Sequence, residues 1–457
     1  MSRLVTQPRS TRISPRRRRA CSWSRRASSS CSSVISPSRT RSEPRGSQGG
    51  RSASAIADMH RHRLALSLAP GPRPPALVHW PAVAGPTQEA LYSRLDLELS
   101  WSEDELPQVE RTKHVHGLHP YLGKFIPQLV EAFLARYFRP GQCVYDPFCG
   151  SGTTLVEANI FGCDAIGCDI SAFNCLLAQV KTASYSLPRL ELALKGALEE
   201  ARRASPPSLQ EASVWLRRWY APRALSELLA YRAAIATLDP ELRPAAEVVL
   251  SRAARSARLA PHYDLDFPSR PARGPYFCHK HKRICRPVGE AMKFLHRYTV
   301  DTVRRLREVS RLRTSRRVAV VHDDARALRL PFPASGIITS PPYPGLIDYH
   351  EQHRYAYELL QLADRRGEEI GAAALGTSRA ALRRYAEEVA AALANAGRQL
   401  PAESPVLIVV NDSRRLYPGI LARAGLVLED RITRHVNRRT GRRAGEFFEE
   451  VLVCRTA

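Results

Sequence analysis

The feature that most constrains this sequence is a strand, a glycine loop, a helix and a second strand in immediate succession. Cys143-Val144-Tyr145-Asp146 has the texture of a short buried strand. It runs into Pro147-Phe148-Cys149-Gly150-Ser151-Gly152-Thr153-Thr154, where glycines let a ligand approach the backbone closely. The helix-like run Thr154 to Phe161 follows, so its first N–H groups would face whatever the loop holds. A second strand, Asp164-Ala165-Ile166-Gly167-Cys168-Asp169, ends in an acid 23 residues beyond Asp146. A carboxylate placed there can accept both hydroxyls of a ribose. The order predicts the first half of an α/β, doubly wound parallel sheet. GxGxxG is absent, which separates this loop from the dinucleotide fingerprint.

The rest of the chain supplies a second half after an interval. Residues 187–310 have mostly helical periodicity, interrupted by a proline- and aromatic-rich stretch from Pro261 to Pro287. Strand signals resume at Arg317 to His322, Gly336 to Thr339, Val406 to Val410 and Glu450 to Cys454, with a helical stretch at Arg379 to Ala396. Four regions are expected: a disordered Ser/Arg/Pro-rich tail over 1–85, the first half of the catalytic domain over 86–186, a mostly helical insertion over 187–310, and the second half over 311–457.

The loop, read as D-P-F-x-G-S-G-T-T, resembles the cofactor motif of the DNA amino-methyltransferases, S-adenosylmethionine-dependent enzymes that act on cytosine N4 or adenine N6. Thr339-Ser340-Pro341-Pro342-Tyr343, at the end of a strand-like run, looks like the S-P-P-Y form of their catalytic motif. His119-Pro120-Tyr121-Leu122-Gly123-Lys124-Phe125-Ile126-Pro127 is similar to their cofactor-flanking H-x-Y-P-A-K-F-I-P segment, with the proline falling early and Gly123 in place of alanine. The resemblance implies a Rossmann-like class I methyltransferase fold with S-adenosylmethionine as cofactor. Its binding residues would be Asp146, Phe148, Gly150, Gly152, Thr153, Thr154 and Asp169, with Lys124 and Phe125 from the flanking segment. Asp324 resembles the acid placed near the adenine; on the residues alone it could equally cap the next turn. Catalysis would fall to Ser340, Pro341, Pro342 and Tyr343.

That motif also makes chemical sense by itself. A ring-conjugated amine is a poor nucleophile, so it must be held in line with the methyl sulfonium while hydrogen bonds are accepted from its nitrogen. Ser340 and the Pro341 carbonyl suit that task. The prolines stiffen the backbone, and Tyr343 offers a face for a flipped base. S-P-P-Y forms more often accompany cytosine N4, which we favour. Adenine N6, an RNA amino-methyltransferase and an inactive nucleic-acid-binding scaffold are the alternatives. Intact Asp146, Asp169, Ser340 and Tyr343 argue against the last.

Charge bears on the partner. The 457 residues carry a net +25. Residues 1–75 hold 16 arginines against Glu43 and Asp58, a net of +14, which leaves +11 on the remainder. Both parts favour a polyanion. Double-stranded DNA with base flipping is the expected substrate, and a companion restriction nuclease is a candidate partner. Arg252, Arg255, Arg258, Arg270 and Arg273 of the insertion are candidates to position phosphates during target recognition. The ten cysteines, from Cys21 to Cys454, form no CxxC pair and predict reduced thiols in a cytoplasmic protein. No apolar run reaches the roughly 20 residues that cross a bilayer, so no membrane partner is expected. Cys278, His279, His281 and Cys285 fit no standard zinc spacing. With Lys280, Lys282 and Arg283 among them they read as a basic loop, and no metal is expected. His350, His353 and Arg354, just after the catalytic motif, could line the pocket or satisfy a helix face.

Overall fold

Four parallel strands carry the part of the molecule that matters for function. They belong to a computed structural model that describes residues 99–101, 105–123, 125–205, 207–436 and 447–457. The expectations for residues 1–85 and for Lys124 lie outside the described residues. β1 (Cys143–Asp146) is flanked by β2 (Asp164–Asp169) and β6 (Gly336–Thr339), and β5 (Val318–His322) lies outside β2. All these pairings are parallel, as expected for strands buried by helices on both faces. The sheet continues through β7 (Pro405–Val410) to β9 (Phe448–Thr456) and β8 (Leu426–His435), giving the order β5-β2-β1-β6-β7-β9-β8. β9 is antiparallel to both its neighbours. This is the doubly wound sheet that the sequence predicts, in the Rossmann-like class I methyltransferase form that the resemblance implies.

Helices cover the two faces. α1 (Pro127–Tyr137) and α2 (Thr153–Phe161) bury Leu129, Phe133 and Leu155 in one core, together with Val144, Ile338, Leu407 and Val451 from the sheet. α3 (Ala172–Thr182) begins at Ser171, whose hydroxyl accepts the Asn174 N–H as an N-cap.

The interval 187–310 is helical, as its periodicity predicts. It comprises α4 (Leu187–Arg203), α5 (Val214–Trp219), α6 (Pro222–Ala236), α7 (Arg243–Ala257) and α8 (Met292–Ser310). Between α7 and α8 lies a hairpin of β3 (Tyr276–Cys278) and β4 (Arg283–Cys285). The five helices share one core with Phe173, Leu176, Leu177 and Val180 of α3, and with Tyr355 and Leu359 of α10 (Arg354–Leu360), which follows the single-turn α9 (Tyr349–Gln352). The other face of the sheet is covered by α11 (Arg379–Gly397) and α12 (Tyr417–Ala424), which bury Val389, Leu393, Ile420 and Leu421.

Three of the five insertion arginines expected to meet phosphate are internal instead. Arg252 is buried, donates to Asp301 at 2.5 Å and lies over the Tyr298 ring. Arg255 pairs with Asp266 at 2.5 Å. Arg258 is buried over the Tyr355 ring and donates to the Leu265 carbonyl. A buried guanidinium needs such partners, because leaving it unpaired would cost several kcal/mol. Only Arg270 and Arg273 of the five are exposed. Among the described residues all eight cysteines are free and buried, and no helix is long and apolar enough to cross a membrane.

Candidate active site

The strand order brings four loops to one edge. β5, β2, β1 and β6 are neighbours and parallel, so the residues that follow them emerge side by side at their carboxyl ends. Those residues are Asp323-Asp324, Asp169, the Asp146–Gly152 loop and Ser340-Pro341-Pro342. The chain reverses its direction of travel across the sheet between β1 and β6, where open α/β sheets leave a crevice.

A cleft of about 830 Å³, its open mouth included, occupies that place. The figure lies within the roughly 300–1,000 Å³ typical of small-molecule sites. Asp146, Phe148, Gly150, Thr153, Asp169, Asp324, Phe125, Ser340 and Pro342 line it. Of the other expected residues, Gly152, Thr154, Pro341 and Tyr343 do not. Thr154 is buried beneath the loop, with its hydroxyl 3.4 Å from the Ile338 carbonyl. Gly152 is the left-handed N-cap of α2, at φ 77. Tyr343 stands beyond the cleft and donates its hydroxyl to Glu449 at 3.0 Å.

Two carboxylates organise the site. Asp146 accepts the Thr339 hydroxyl at 2.7 Å and the Phe148 N–H at 3.1 Å, tying the end of β1 to the end of β6. Asp169 accepts N–H groups of Gly150 at 2.9 Å and Ser171 at 2.8 Å, and the Asn174 amide at 3.1 Å. Burial raises both carboxyl groups to about 6, against the hydrogen bonds that favour their anions. Asp324 is different. Burial lifts it, but the Arg326 guanidinium, 2.7 Å away, outweighs that and holds it below the ordinary range. It also accepts the Arg326 N–H, so it caps the next turn while lining the cleft.

The glycine loop is shaped for close approach. Gly150 has φ 49, and a Cβ there would lie 2.9 Å from the Tyr121 hydroxyl. The hydroxyls of Ser151 and Thr153 and the side-chain carbonyl of Asn174 are buried with no hydrogen-bond partner. All three residues line the cleft. Orphaned polar atoms in a cavity wall are costly unless a polar ligand meets them, so the wall fits a small molecule rich in hydrogen-bonding groups.

Sequence reading missed Tyr121, Asn174, Tyr349 and Glu369, which also line the cleft. Tyr121 and Tyr349 stack with ring centres 5.6 Å apart. Glu369 accepts the Tyr349 N–H at 2.8 Å and is bonded to His350 at 2.7 Å. His350 and His353 are buried and do not line the cleft themselves. Burial lowers His353 to about 3, leaving it neutral within the Tyr121, Phe173 and Tyr355 rings. Tyr121 lies within the H-x-Y part of the flanking motif. Tyr349 and Glu369 carried no motif that could have marked them.

Comparison with known proteins identifies the family. The N6/N4 family described as DNA methylase matches residues 85–180. A Type II methyltransferase of Methanocaldococcus jannaschii, M.MjaII, is 35% identical over 447 residues, covering 80% of this chain and 84% of its own. The chain belongs to the N6/N4 DNA methyltransferase family. Two shorter matches run alongside. M.MvaI of Kocuria varians, also a Type II methyltransferase, is 35% identical over 82 residues, 17% of this chain and 18% of its own. The tRNA (guanine(10)-N2)-dimethyltransferase of M. jannaschii is 48% identical over 54 residues, 11% of this chain and 14% of its own. This methyltransferase uses S-adenosylmethionine as its cofactor, and the cleft's unpartnered polar wall is chemically suited to it.

Proposed function

We propose that the chain methylates the exocyclic amine of a base flipped out of double-stranded DNA, at cytosine N4. The observation that carries this reading is one cleft walled both by the Asp146–Thr153 loop with Asp169 and by Ser340 with Pro342. Asp169 would hold the ribose of S-adenosylmethionine, the loop and the first turn of α2 its charged amino-acid end, and Asp324 would border the adenine. Bound there, the cofactor supplies an electrophilic methyl group.

The chain's own residues then do the positioning. The Ser340 hydroxyl and Pro341 carbonyl accept hydrogen bonds from the amine, aiming its nitrogen into the cleft. As the nitrogen gains a carbon it sheds a proton, which passes to water by way of Ser340. Tyr343, tethered to Glu449, stacks on the extruded base. The motif has no cysteine, and Cys149 of the loop is buried with its thiol pushed well up by burial. No covalent enzyme–base adduct is therefore needed or expected. The Type II relatives suggest a site-specific enzyme whose candidate partner is a restriction nuclease of matching specificity.

Tyr343→Ala should lose much of the rate while cofactor affinity stays nearly unchanged, since stacking on an unpaired base is worth roughly 1–3 kcal/mol. Calorimetry and single-turnover assays separate the two effects. The decisive experiment incubates the protein with duplex DNA and S-adenosylmethionine and identifies the modified nucleoside by mass spectrometry. N4-methylcytosine is the expected product. N6-methyladenine would overturn the choice of base, and 5-methylcytosine the whole mechanism. Transfer to RNA and not to DNA would favour the alternative suggested by the short tRNA-methyltransferase match.

A further inference from the structure

Outside the cleft, the hairpin between α7 and α8 gathers two thiols and two imidazoles. Cys278 ends β3 and Cys285 ends β4. In the antiparallel register Tyr276 faces Cys285 and Cys278 faces Arg283, so both cysteines lie on one face of the ribbon, as diagonal neighbours. Both cysteines are buried, whereas Phe277 and Ile284 of the other face are 49% and 64% exposed. His281, in the turn, sets its Nδ1 3.5 Å from each sulfur. The fourth member, His262, comes from the loop after α7, 16 residues before Cys278. Its ring centre is 5.0 Å from that of His281. One donor atom from each of the four lies within 4.8 Å of the other three.

We propose that His262, Cys278, His281 and Cys285 form a structural zinc site that clips this hairpin to the end of α7. Two edges of the cluster have the length of a tetrahedral zinc cage, and the remaining donor atoms lie within 4.8 Å of one another. Zinc binds sulfur at about 2.3 Å and imidazole nitrogen at about 2.0–2.1 Å, which at the tetrahedral angle separates sulfur from nitrogen by about 3.5 Å. The two sulfur–nitrogen distances match that edge. Two thiolates and two imidazoles are a donor set that selects zinc over hard cations. His262 Nδ1 is shielded from solvent with no hydrogen-bond partner, so this imidazole has an unmet polar atom beside the cluster. The backbone N–H of His262 donates to the Tyr276 hydroxyl at 3.0 Å, holding this loop against the ribbon.

The hairpin needs such a clip. Each strand has three residues, and an isolated two-stranded ribbon is marginal in water. Its outer side chains are exposed, and Lys282 in the turn sits at φ 53, a left-handed conformation costly for lysine. The sequence spacing of Cys278, His281 and Cys285 conceals the site because the fourth ligand is distant in the chain. A second group, His114, His116 and Glu157, is a weaker candidate. Glu157 there is already engaged by His116 at 2.6 Å and by the Lys113 ammonium at 3.6 Å, and a cation would have to displace that positive charge.

The test uses the full chain expressed with zinc, dialysed free of loose metal and analysed by mass spectrometry for metal content. One zinc per chain is expected, with near-total loss in Cys278→Ser and in His262→Ala. Replacing zinc by cobalt(II) should give thiolate-to-cobalt charge transfer and the intense visible bands of a tetrahedral ion. Trypsin should cut after Lys280, Lys282 or Arg283 only once the metal is stripped by a chelator. If a variant fails to fold, the wild-type metal content, cobalt spectrum and trypsin protection still decide. A metal-free wild-type chain with no cobalt spectrum, or zinc retained in folded Cys278→Ser, overturns the proposal.

Discussion

Asp169 is where local structure and ligand chemistry meet. Three donors from the glycine loop and the start of α3 converge on its carboxylate, so its orientation is fixed before any ligand arrives. Removing it strips the charge-assisted acceptors expected to hold the ribose and leaves the Gly150 and Ser171 N–H groups unmet. Asp169→Ala should therefore weaken S-adenosylmethionine binding by one to a few kcal/mol. Calorimetry on a folded variant checks this, and unchanged affinity removes Asp169 from the site. Its pKa adds a second expectation. Because the folded value is raised to about 6, the fold holds that proton more tightly than the unfolded chain does. The associated stability is present below the ordinary carboxylate pKa near 4 and is lost as pH rises through about 6. Cofactor binding runs the other way, since the anion is the better acceptor. Affinity should be level above pH 7 and fall toward tenfold per pH unit below about 6. A flat profile in Asp169→Asn would assign the dependence to this residue, whereas an unchanged slope would move it to Asp146.

Among the elements, α2 and the loop before it show how closely backbone conformation is tied to the site. Gly152 sits at φ 77, and a Cβ there would come within 2.9 Å of the Ala178 Cβ and 3.0 Å of its Cα on α3. A left-handed alanine costs roughly 1–2 kcal/mol before any clash, so Gly152→Ala should lower the melting temperature and loosen the cofactor loop. Gly196, in the exposed middle of α4 with nothing within 4 Å of its would-be Cβ, is the contrast. Gly196→Ala should stabilise the fold by about 0.5–1 kcal/mol in urea titrations. Strands β1, β2 and β6 were legible in the sequence because they are buried on both sides and read as short, largely apolar runs. β8 was not legible. Its Leu-Val-Leu-Glu-Asp-Arg-Ile-Thr-Arg-His is an edge strand, only partly buried and studded with charges, with a register shift at Leu428/Asp430. Charge and irregularity of that kind protect a sheet edge from pairing with other chains and erase the apolar signal. The cleft divides the same way. Loop and strand-end residues were marked by motif, whereas Tyr349 and Glu369 come from a stretch whose placement depends on tertiary packing alone.

Charge distribution connects the whole molecule to its substrate. Much of the basic character of the described part is internally committed, as Arg252, Arg255 and Arg258 show with their carboxylate, carbonyl and aromatic partners. Cations free to meet phosphate are consequently fewer than composition suggests. Arg270, Arg273, Lys280, Lys282 and Arg283, near or on the β3–β4 hairpin, are exposed. The larger reserve is the N-terminal 75 residues, with 16 arginines against two acids. We propose that this segment supplies sequence-independent DNA affinity and takes no part in methyl transfer, because the family match begins at residue 85 and, among the described residues, those that line the cleft all lie beyond 120. Non-specific binding scales with phosphates neutralised, and its logarithm falls with log salt at about 0.9 per contact on duplex DNA. A chain lacking residues 1–85 should therefore bind DNA less tightly at low salt and with a shallower salt slope. Its affinity for S-adenosylmethionine and its single-turnover rate at saturating DNA should match those of the full chain. Fluorescence anisotropy across a salt series, run beside a radiolabelled methyl-transfer assay, measures both. An unchanged slope would place the phosphate contacts on the folded part, and loss of cofactor binding in the truncated chain would make the tail a component of the catalytic domain.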